Sequence, residues 1–405
     1  MAGDESSEDY KFKPFSFTTR LGEIANTRPI TPQPRSGHRI VCDEGFLYSF
    51  GGYNPFLDPS DPSMHGDAVW ALTCPLFKEL WRYSYASNTW FRLLVGEGIP
   101  NELASNAVVL SGDLMLVFGG TAVPFGESCS NSLYVYNTKC GGGMHTIETT
   151  GDHPQKQYGQ ALILHKKFLY TVGGTTGYDY SSDIHRLNLE TNKWEEIYTS
   201  SPVGSHYEPP GRYRHELAFD GKKIYVFGGG TATTVYGFDI ISAFNLETKK
   251  WEELATHSDP TVTPPGFPAA RRCHGCVQLP AEVEEKNEIV ICGGYNGGEI
   301  FSDVWKFDLS TLQWTCLKQC VLPRPVYFHS AAISPAGQLF TFGGIAALGS
   351  ETVRTAEIYC AWLRIPKLSE MCWETITRKY PNLYAVPRNK LLKLGIPEKF
   401  VSRLL

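Results

Sequence analysis

Four features are missing from this 405-residue sequence, and each absence removes a class of protein. No apolar run approaches the ~20 residues needed to cross a bilayer, so a membrane-spanning chain is not expected. No block of Lys and Arg stands out from a balance of 37 basic against 42 acidic residues, so neither nucleic acid nor an anionic membrane is an expected partner. GxSxG, HExxH and P-loop motifs are absent, and few carboxylates fall where a pair could cleave a glycoside, so the chain reads as a non-enzyme. The opening "MAGDESSEDYKFK" is polar and acidic and carries no apolar core of a secretory signal.

The eleven cysteines are an odd number scattered along apolar segments, which predicts reduced thiols in cytoplasm or nucleus. The one CxxC, Cys273 to Cys276, has no second pair at zinc spacing, since Cys316 and Cys320 stand four apart. Neither a metal nor another cofactor is expected. What the chain does have is 39 Gly, 26 Pro and 13% aromatics, a composition for β structure with many tight turns.

Self-similarity decides the fold. Six apolar runs end in Gly-Gly: "FLYSFGG", "LMLVFGG", "FLYTVGG", "IYVFGGG", "EIVICGG" and "LFTFGG". Their first glycines, Gly51, Gly119, Gly173, Gly228, Gly293 and Gly343, are 68, 54, 55, 65 and 50 residues apart, close to the roughly 50 of a kelch repeat. Upstream of four lies Arg-x-x-His or its relic: "RSGH", "RYRH", "RRCH" and "VYFH". Downstream of four a tryptophan closes the unit, at Trp90, Trp194, Trp251 and Trp314. The second unit departs, with "ELAS" for the motif and "NTKCGGGMH" for the tryptophan, and the third has "QYGQ".

The expected fold is all-β: a six-bladed kelch β-propeller over 35–365 with a short C-terminal helical segment over 366–405. Residues 1–34 form an N-terminal tail. The sixth unit runs into that segment without a fourth strand, and in "FSFTTRL" Phe15, Phe17, Thr19 and Leu21 alternate with polar residues. A strand near 12–21 is therefore expected to complete the last blade and close the ring.

In such a meander, the residues of the Arg-x-x-His motif and those just after Gly-Gly share one mouth. That mouth collects Arg35, Arg212, Arg214, Arg271 and Arg272 with Tyr53, Tyr158, Tyr213, Tyr295 and Tyr327. Guanidinium forks among aromatics suit a carboxylate such as a protein C-terminus. The motif histidines, and any single arginine, have an equally plain use in bonding neighbouring backbone carbonyls. The first unit's long segment, "YNPFLDPSDPSMHGDAVWALTCPLFKEL", is either a lid or an insertion.

The tail differs in kind. Leu368, Cys372 and Ile376 fall on one stripe of a helix between Pro366 and Pro381; "PRNKLLKLG" and "PEKFVSRLL" follow as two further short helices. The stripe resembles an elongin-binding BC box. Val386-Pro387 with Leu391 or Leu392 resembles a cullin box, as does the more distant Ile396-Pro397 with Phe400, and spacing favours the first. With "RSGHR", "FGGYNP", "PLFKELWRY", "VPFGES", "GGTTGY", "RYRHE", "FPAARRCH", "CGGYNG" and "PVYFH", the chain resembles kelch-domain-containing substrate receptors of cullin-2 RING ubiquitin ligases from Arg35 onward.

The resemblance implies a non-catalytic adaptor that binds C-terminal degrons ending in glycine or another small residue. It implies elongin B/C as partners through Leu368, Cys372 and Ile376, and cullin-2 with its RING subunit through Val386, Pro387 and Leu391. Tyr53, Arg272 and Cys273 match pocket positions of the family, although relatives carry a small hydroxyl residue and a tryptophan at the last two. The arginines that relatives place after the fourth Gly-Gly are missing from "GTATTVY", which leaves Arg272 and Arg214 as carboxylate anchors and implies an altered C-terminal preference. The alternative is a kelch scaffold or signalling adaptor outside any ligase, whose tail only packs on the ring.

Overall fold

The computed structural model describes residues 12–20, 31–57, 72–96, 98–201, 208–280 and 287–404. Among these, five sheets are built on four-strand antiparallel meanders in chain order, beginning at Arg39–Cys42, Ala107–Ser111, Ala161–His165, Glu216–Phe219 and Gly275–Gln278, and the third adds Thr150–Gly151 parallel to its outer strand. A sixth joins Ser330–Ile333, Gln338–Phe342 and Ile358–Trp362 to Thr18–Thr19 from the N-terminus. Phe15 N–H and Arg20 N–H extend that pairing, bonding the carbonyls of Trp362 and Ile358 at 2.9 and 3.0 Å. Leu21, placed on the same strand by its alternation, lies outside the described residues.

The second strands carry the strongest apolar runs because both of their faces are covered. Phe46–Phe50 and Gln338–Phe342 are buried at every residue. The closing tryptophans seal the spaces between sheets. Trp90 packs on Phe342 of the last sheet at 4.9 Å, Trp194 on Phe118 at 5.2 Å and Trp314 on Phe238 at 5.4 Å, each reaching the sheet before its own. In the second unit Met144 pairs with Tyr136 at the register where Trp194 pairs with Leu187, and it is equally buried. A flexible thioether fills that gap without an indole's bulk.

All four motif histidines are buried, and two of them bond across to the preceding sheet. Nε2 of His38 donates to the Phe342 carbonyl at 3.0 Å and Nε2 of His215 to the Val172 carbonyl at 3.1 Å, in each case across to the preceding sheet. In "QYGQ", Gln160 Nε2 makes the same bond to Phe118 at 3.1 Å, so the departure keeps the function. The Gly pairs make room for these side chains. A Cβ on Gly343, whose φ is +62°, would lie 2.6 Å from the His38 ring and 2.9 Å from the Arg35 carbonyl.

The six units meet at the axis through their backbones. Ser105 N–H bonds the Gly37 carbonyl, Gly159 bonds Ser105, Arg214 bonds Gly159, Cys273 bonds Arg214, Phe328 bonds Cys273, and Gly37 bonds Phe328, over 2.7–3.3 Å. All six residues hold left-handed φ, between 54° and 69°. The circuit is closed.

The tail forms its own small core against the first sheet. In the helix Leu368–Lys379, Trp373 stacks on Phe400 at 5.1 Å and joins Leu391, Val401, Leu404 and Ala86. Two shorter helices, Arg388–Lys393 and Glu398–Val401, supply the rest.

Burial, followed by the charge of Arg212, pulls the proton affinity of His215 from its ordinary 6.5 down to about 3. The unfolded chain therefore takes up a proton that the folded one refuses. The stability this group gives is complete above about pH 6.5 and is lost as pH falls towards 3. His215→Gln, which copies the Gln160 solution, should keep the bond to Val172 and cost at most about 1 kcal/mol at pH 7.5. It should also remove about 2 kcal/mol of the wild-type loss between pH 7 and 5. Urea midpoints at the two pH values check this, and an unchanged difference would count against it.

Candidate functional site

Each unit delivers three residues to the mouth: the two middle residues of its motif and the one after its Gly pair. The first middle residue bridges to the residue after Gly-Gly, as in Ser36 with Tyr53, Tyr158 with Thr175, Tyr213 with Gly230 and Arg272 with Tyr295. The second middle residue belongs to the axial circuit. Its left-handed backbone turns the chain so that its side chain faces the axis.

The mouth is lopsided. Units one to three contribute the small residues Ser36, Gly37, Ala104, Ser105 and Gly159 with one large one, Tyr158, whereas units four to six contribute Tyr213, Arg214, Arg272, Cys273, Tyr327 and Phe328. A cavity of about 160 Å³ opens on the small side, walled by Tyr53, Phe125, Tyr158, Tyr213 and Phe328 with Arg214 and Arg354. Its aromatic walls touch each other: Tyr53 meets Phe125 at 4.9 Å and Tyr158 meets Tyr213 at 6.2 Å, both edge to face.

Arg214 is the unusual group. It is 5% exposed, lies 4.7 Å over the Phe328 ring, and donates from Nη2 to Ser105 Oγ; its Nε has no partner. Among the described residues no carboxylate forms an ion pair with it. Burial without an acid lowers its proton affinity to about 10, which still leaves it charged near neutral pH. Arg354 stands beside it, bonding Ser36 Oγ at 3.0 Å and lying 5.2 Å over the Tyr53 ring.

The other arginines separate by motif position. The first-position residues Arg35, Arg212 and Arg271 are buried and held by backbone carbonyls; among the described residues Arg212, like Arg214, has no carboxylate partner, and burial lowers its proton affinity to about 10 as well. Each donates Nε to the carbonyl two residues earlier and Nη1 to the carbonyl of the first glycine of the pair, at 3.0–3.1 Å for the latter. Each also lies about 4 Å over a ring: Phe77, Tyr236 and Phe301. Glu79 pairs with Arg35 and Asp303 with Arg271. Arg212 and Arg271 are therefore framework residues, and the expectation that they bind ligand is corrected.

The sequence comparisons follow this geometry. The family described as KLHDC2/KLHL20/DRC7 Kelch-repeats domain matches residues 3–229, and the Attractin/LZTR1 beta-propeller matches 169–360. The chain is 45% identical over 374 residues to Kelch domain-containing protein 10 of Xenopus tropicalis, covering 92% of this chain and 86% of that one. The human protein of that name is 44% identical over 373 residues, 92% of this chain and 80% of its own. The Drosophila melanogaster homologue is 44% identical over 387 residues, of which this chain spans 62% of the length. The chain belongs to the kelch-repeat β-propellers. Domains of that family are generally non-catalytic and serve protein interaction.

On this kelch ring the expected mouth residues fall into two groups. Tyr53, Tyr158 and Arg214 line the cavity. Arg272, Tyr295 and Tyr327 form a second cluster on the rim, where the two tyrosines stack at 4.9 Å and Arg272 donates to the Thr231 carbonyl. Cys273 is 5% exposed, and burial raises its thiol to about 11. It belongs to the axial circuit, as Arg214 does, but unlike Arg214 it is not among the residues that line the cavity.

Arg354 escaped the sequence reading. It ends a hairpin of Ile345–Leu348 and Glu351–Arg354 that rises from the sixth Gly pair. The two-residue turn Gly349-Ser350 between short apolar and polar runs was the available signal. The middle half of the segment expected to act as a lid, residues 58–71, lies outside the described residues.

On the tail, Leu368 is 74% exposed, Cys372 is exposed and Ile376 is half-buried, while Trp373, Glu374 and Thr377 of the same helix are buried against the ring. Val386 is half-buried and Pro387 exposed. Leu391 is 0% exposed inside the tail core, so it cannot be a partner contact, and Phe400 of the more distant alternative is buried with it.

Stability separates framework from pocket. Arg271→Met should lower the unfolding free energy by about 2–3 kcal/mol, since two carbonyls and Asp303 lose their donor. Arg214→Met removes an unpaired buried charge and should change it by less than about 1 kcal/mol, or raise it. Chemical denaturation of both variants tests the ranking, and equal losses would contradict it.

Proposed function

We propose that this kelch protein is a six-bladed propeller serving as the substrate-recognition subunit of a cullin-2 RING ubiquitin ligase. Its mouth binds protein C-termini, its tail recruits elongin B/C, and it transfers nothing itself. Six sheets whose first strands adjoin in one circuit support the blade count. The observation that carries the reading is the orientation of the helix Leu368–Lys379. It docks through Trp373 and Glu374 and turns Leu368 and Cys372 outward. Leu368 and Cys372 on the free face of a docked helix are open to a partner, and in this reading that partner is elongin C.

The mouth supplies the second half. A buried guanidinium without an acid is stabilised by an incoming carboxylate, and Arg354 adds a second donor at the wall. A space of about 160 Å³ over Ala104 and Ser105 suits a terminal carboxylate on a small residue. Val386 and Pro387 are the remaining cullin contacts of this reading, and Arg272 with Tyr295 and Tyr327 would meet residues upstream of the degron's end. The half-buried Ile376 and the buried Leu391 favour the other reading, a scaffold outside any ligase whose tail serves only the ring.

Two experiments separate them. Leu368→Ser should abolish co-purification of elongin C while the denaturation midpoint of the ring stays put, a loss of about 2–4 kcal/mol at a hot spot. Undiminished recovery of elongin C would leave the scaffold. A peptide ending in glycine with a free carboxylate should bind at least about tenfold more tightly than its C-terminal amide, and Arg214→Met should erase the difference. Equal affinities of acid and amide would rule out carboxylate capture.

A further inference from the structure

Below the pocket the axis is crossed a second time. Where the fourth motif leads into the strand Glu216–Phe219, Arg214 and Glu216 are two residues apart: Arg214 lines the pocket and Glu216 the axial cavity beneath it, while His215 between them bonds out to Val172. Gly37 and Arg39 alternate around His38 in the same way on the first unit. A Cβ on Gly37 would lie 3.3 Å from Arg214 Nη2, so the Arg214 guanidinium reaches the wall of the first unit. Arg39 crosses in the opposite direction. Its Nη1 lies 2.7 Å from Glu216 Oε1, and its Nε donates to the Asn106 carbonyl at 3.2 Å.

Glu216 is thus an acid two residues from Arg214, one layer below it on the axis and near enough to act on its charge. It is committed to the guanidinium beneath. The pair is only 14% and 16% exposed, so solvent screens it little. Both members act on the charge of Arg214, Glu216 favouring it and Arg39 opposing it.

We infer that Arg39 is a positioning residue for the mouth: by holding Glu216 it keeps Arg214 free of an internal acid, and so keeps the pocket floor cationic. Without Arg39, Glu216 would turn to Arg214 and the pocket would become electrically neutral. The inference rests on the carboxylate reading above and adds to it the residue that sets the charge of the site.

The test uses the full chain and a ten-residue peptide ending in glycine, as free acid and as amide, read as the ratio of the two affinities. Arg39→Met should lower that ratio roughly tenfold, and Arg39→Met/Glu216→Gln should return it to within about threefold of wild type. A purely structural role for Arg39 would not be rescued by removing the acid. Glu216→Gln alone should tighten the acid peptide severalfold and steepen its salt dependence. An unchanged ratio in Arg39→Met, no recovery in the double variant, or a Glu216→Gln chain that binds as wild type would each overturn the inference while leaving the carboxylate reading. A wild-type chain indifferent to amidation would overturn both.

Discussion

Six backbone hydrogen bonds running from residue to residue around the axis are the constraint on which the rest of this ring depends. A buried N–H without a partner costs more than most side-chain contacts return, so each strand has to arrive where its neighbour's carbonyl waits. The geometry admits only left-handed φ at the six positions. Gly37 and Gly159 take it freely, whereas Ser105, Arg214, Cys273 and Phe328 take it at a cost of about 1 kcal/mol each. The circuit offsets that strain, because no one of the six can relax without breaking two bonds.

The same constraint explains why arginines so near in sequence differ in use. The first position of the motif lies just outside the circuit, beside the Gly pair of its own unit, and its fork fits the carbonyl there and the ring stacked on it. The third position is turned to the axis, where backbone groups are already spent on the circuit. A guanidinium there finds only Ser105, across the ring. Small residues on units one to three leave it room to cross, and that room is the cavity. Position within a four-residue motif thus decides whether a guanidinium bonds the Gly-pair carbonyl or lines the cavity.

The ring was legible in the sequence because its repeat is made of residues with one physical use each. Gly-Gly marks where a neighbour's histidine must pass, Trp marks the seal between sheets, and Thr18–Thr19 supplies the strand that the last unit lacks. Even "QYGQ" could be read through, since Gln160 and His215 present the same donor. The site was less legible. All three of Arg212, Arg214 and Arg271 are buried; what separates Arg214 is that it lines the cavity while the other two bond the carbonyls of their own Gly pairs, which composition does not reveal. Cys273 matched a family pocket position and turned out to lie inside the circuit. Leu391 lay on a plausible stripe, but a six-residue helix packed against Trp373 has few faces, and the apolar one turned inward.

The tail is tied to the ring through the element that closes it. Arg20, one residue past the closing strand, bonds Glu374 at 2.8 Å, and Glu374 also accepts from Trp362 Nε1 at 3.1 Å. One turn earlier on the same face, Arg403 pairs with both Glu370 of the helix and Glu44 of the first sheet's turn. The helix is therefore clamped at two points along one face, by groups that are themselves mostly buried. Ser36 at the mouth and Gly45 beside Arg403 stand at opposite ends of one strand and its turns, roughly 25 Å apart. A ring with a closed hydrogen-bond circuit has no soft joint between those ends. Whatever enters the mouth is held at a set distance and direction from the outward face of Leu368 and Cys372, an arrangement that a freely jointed tail would lack.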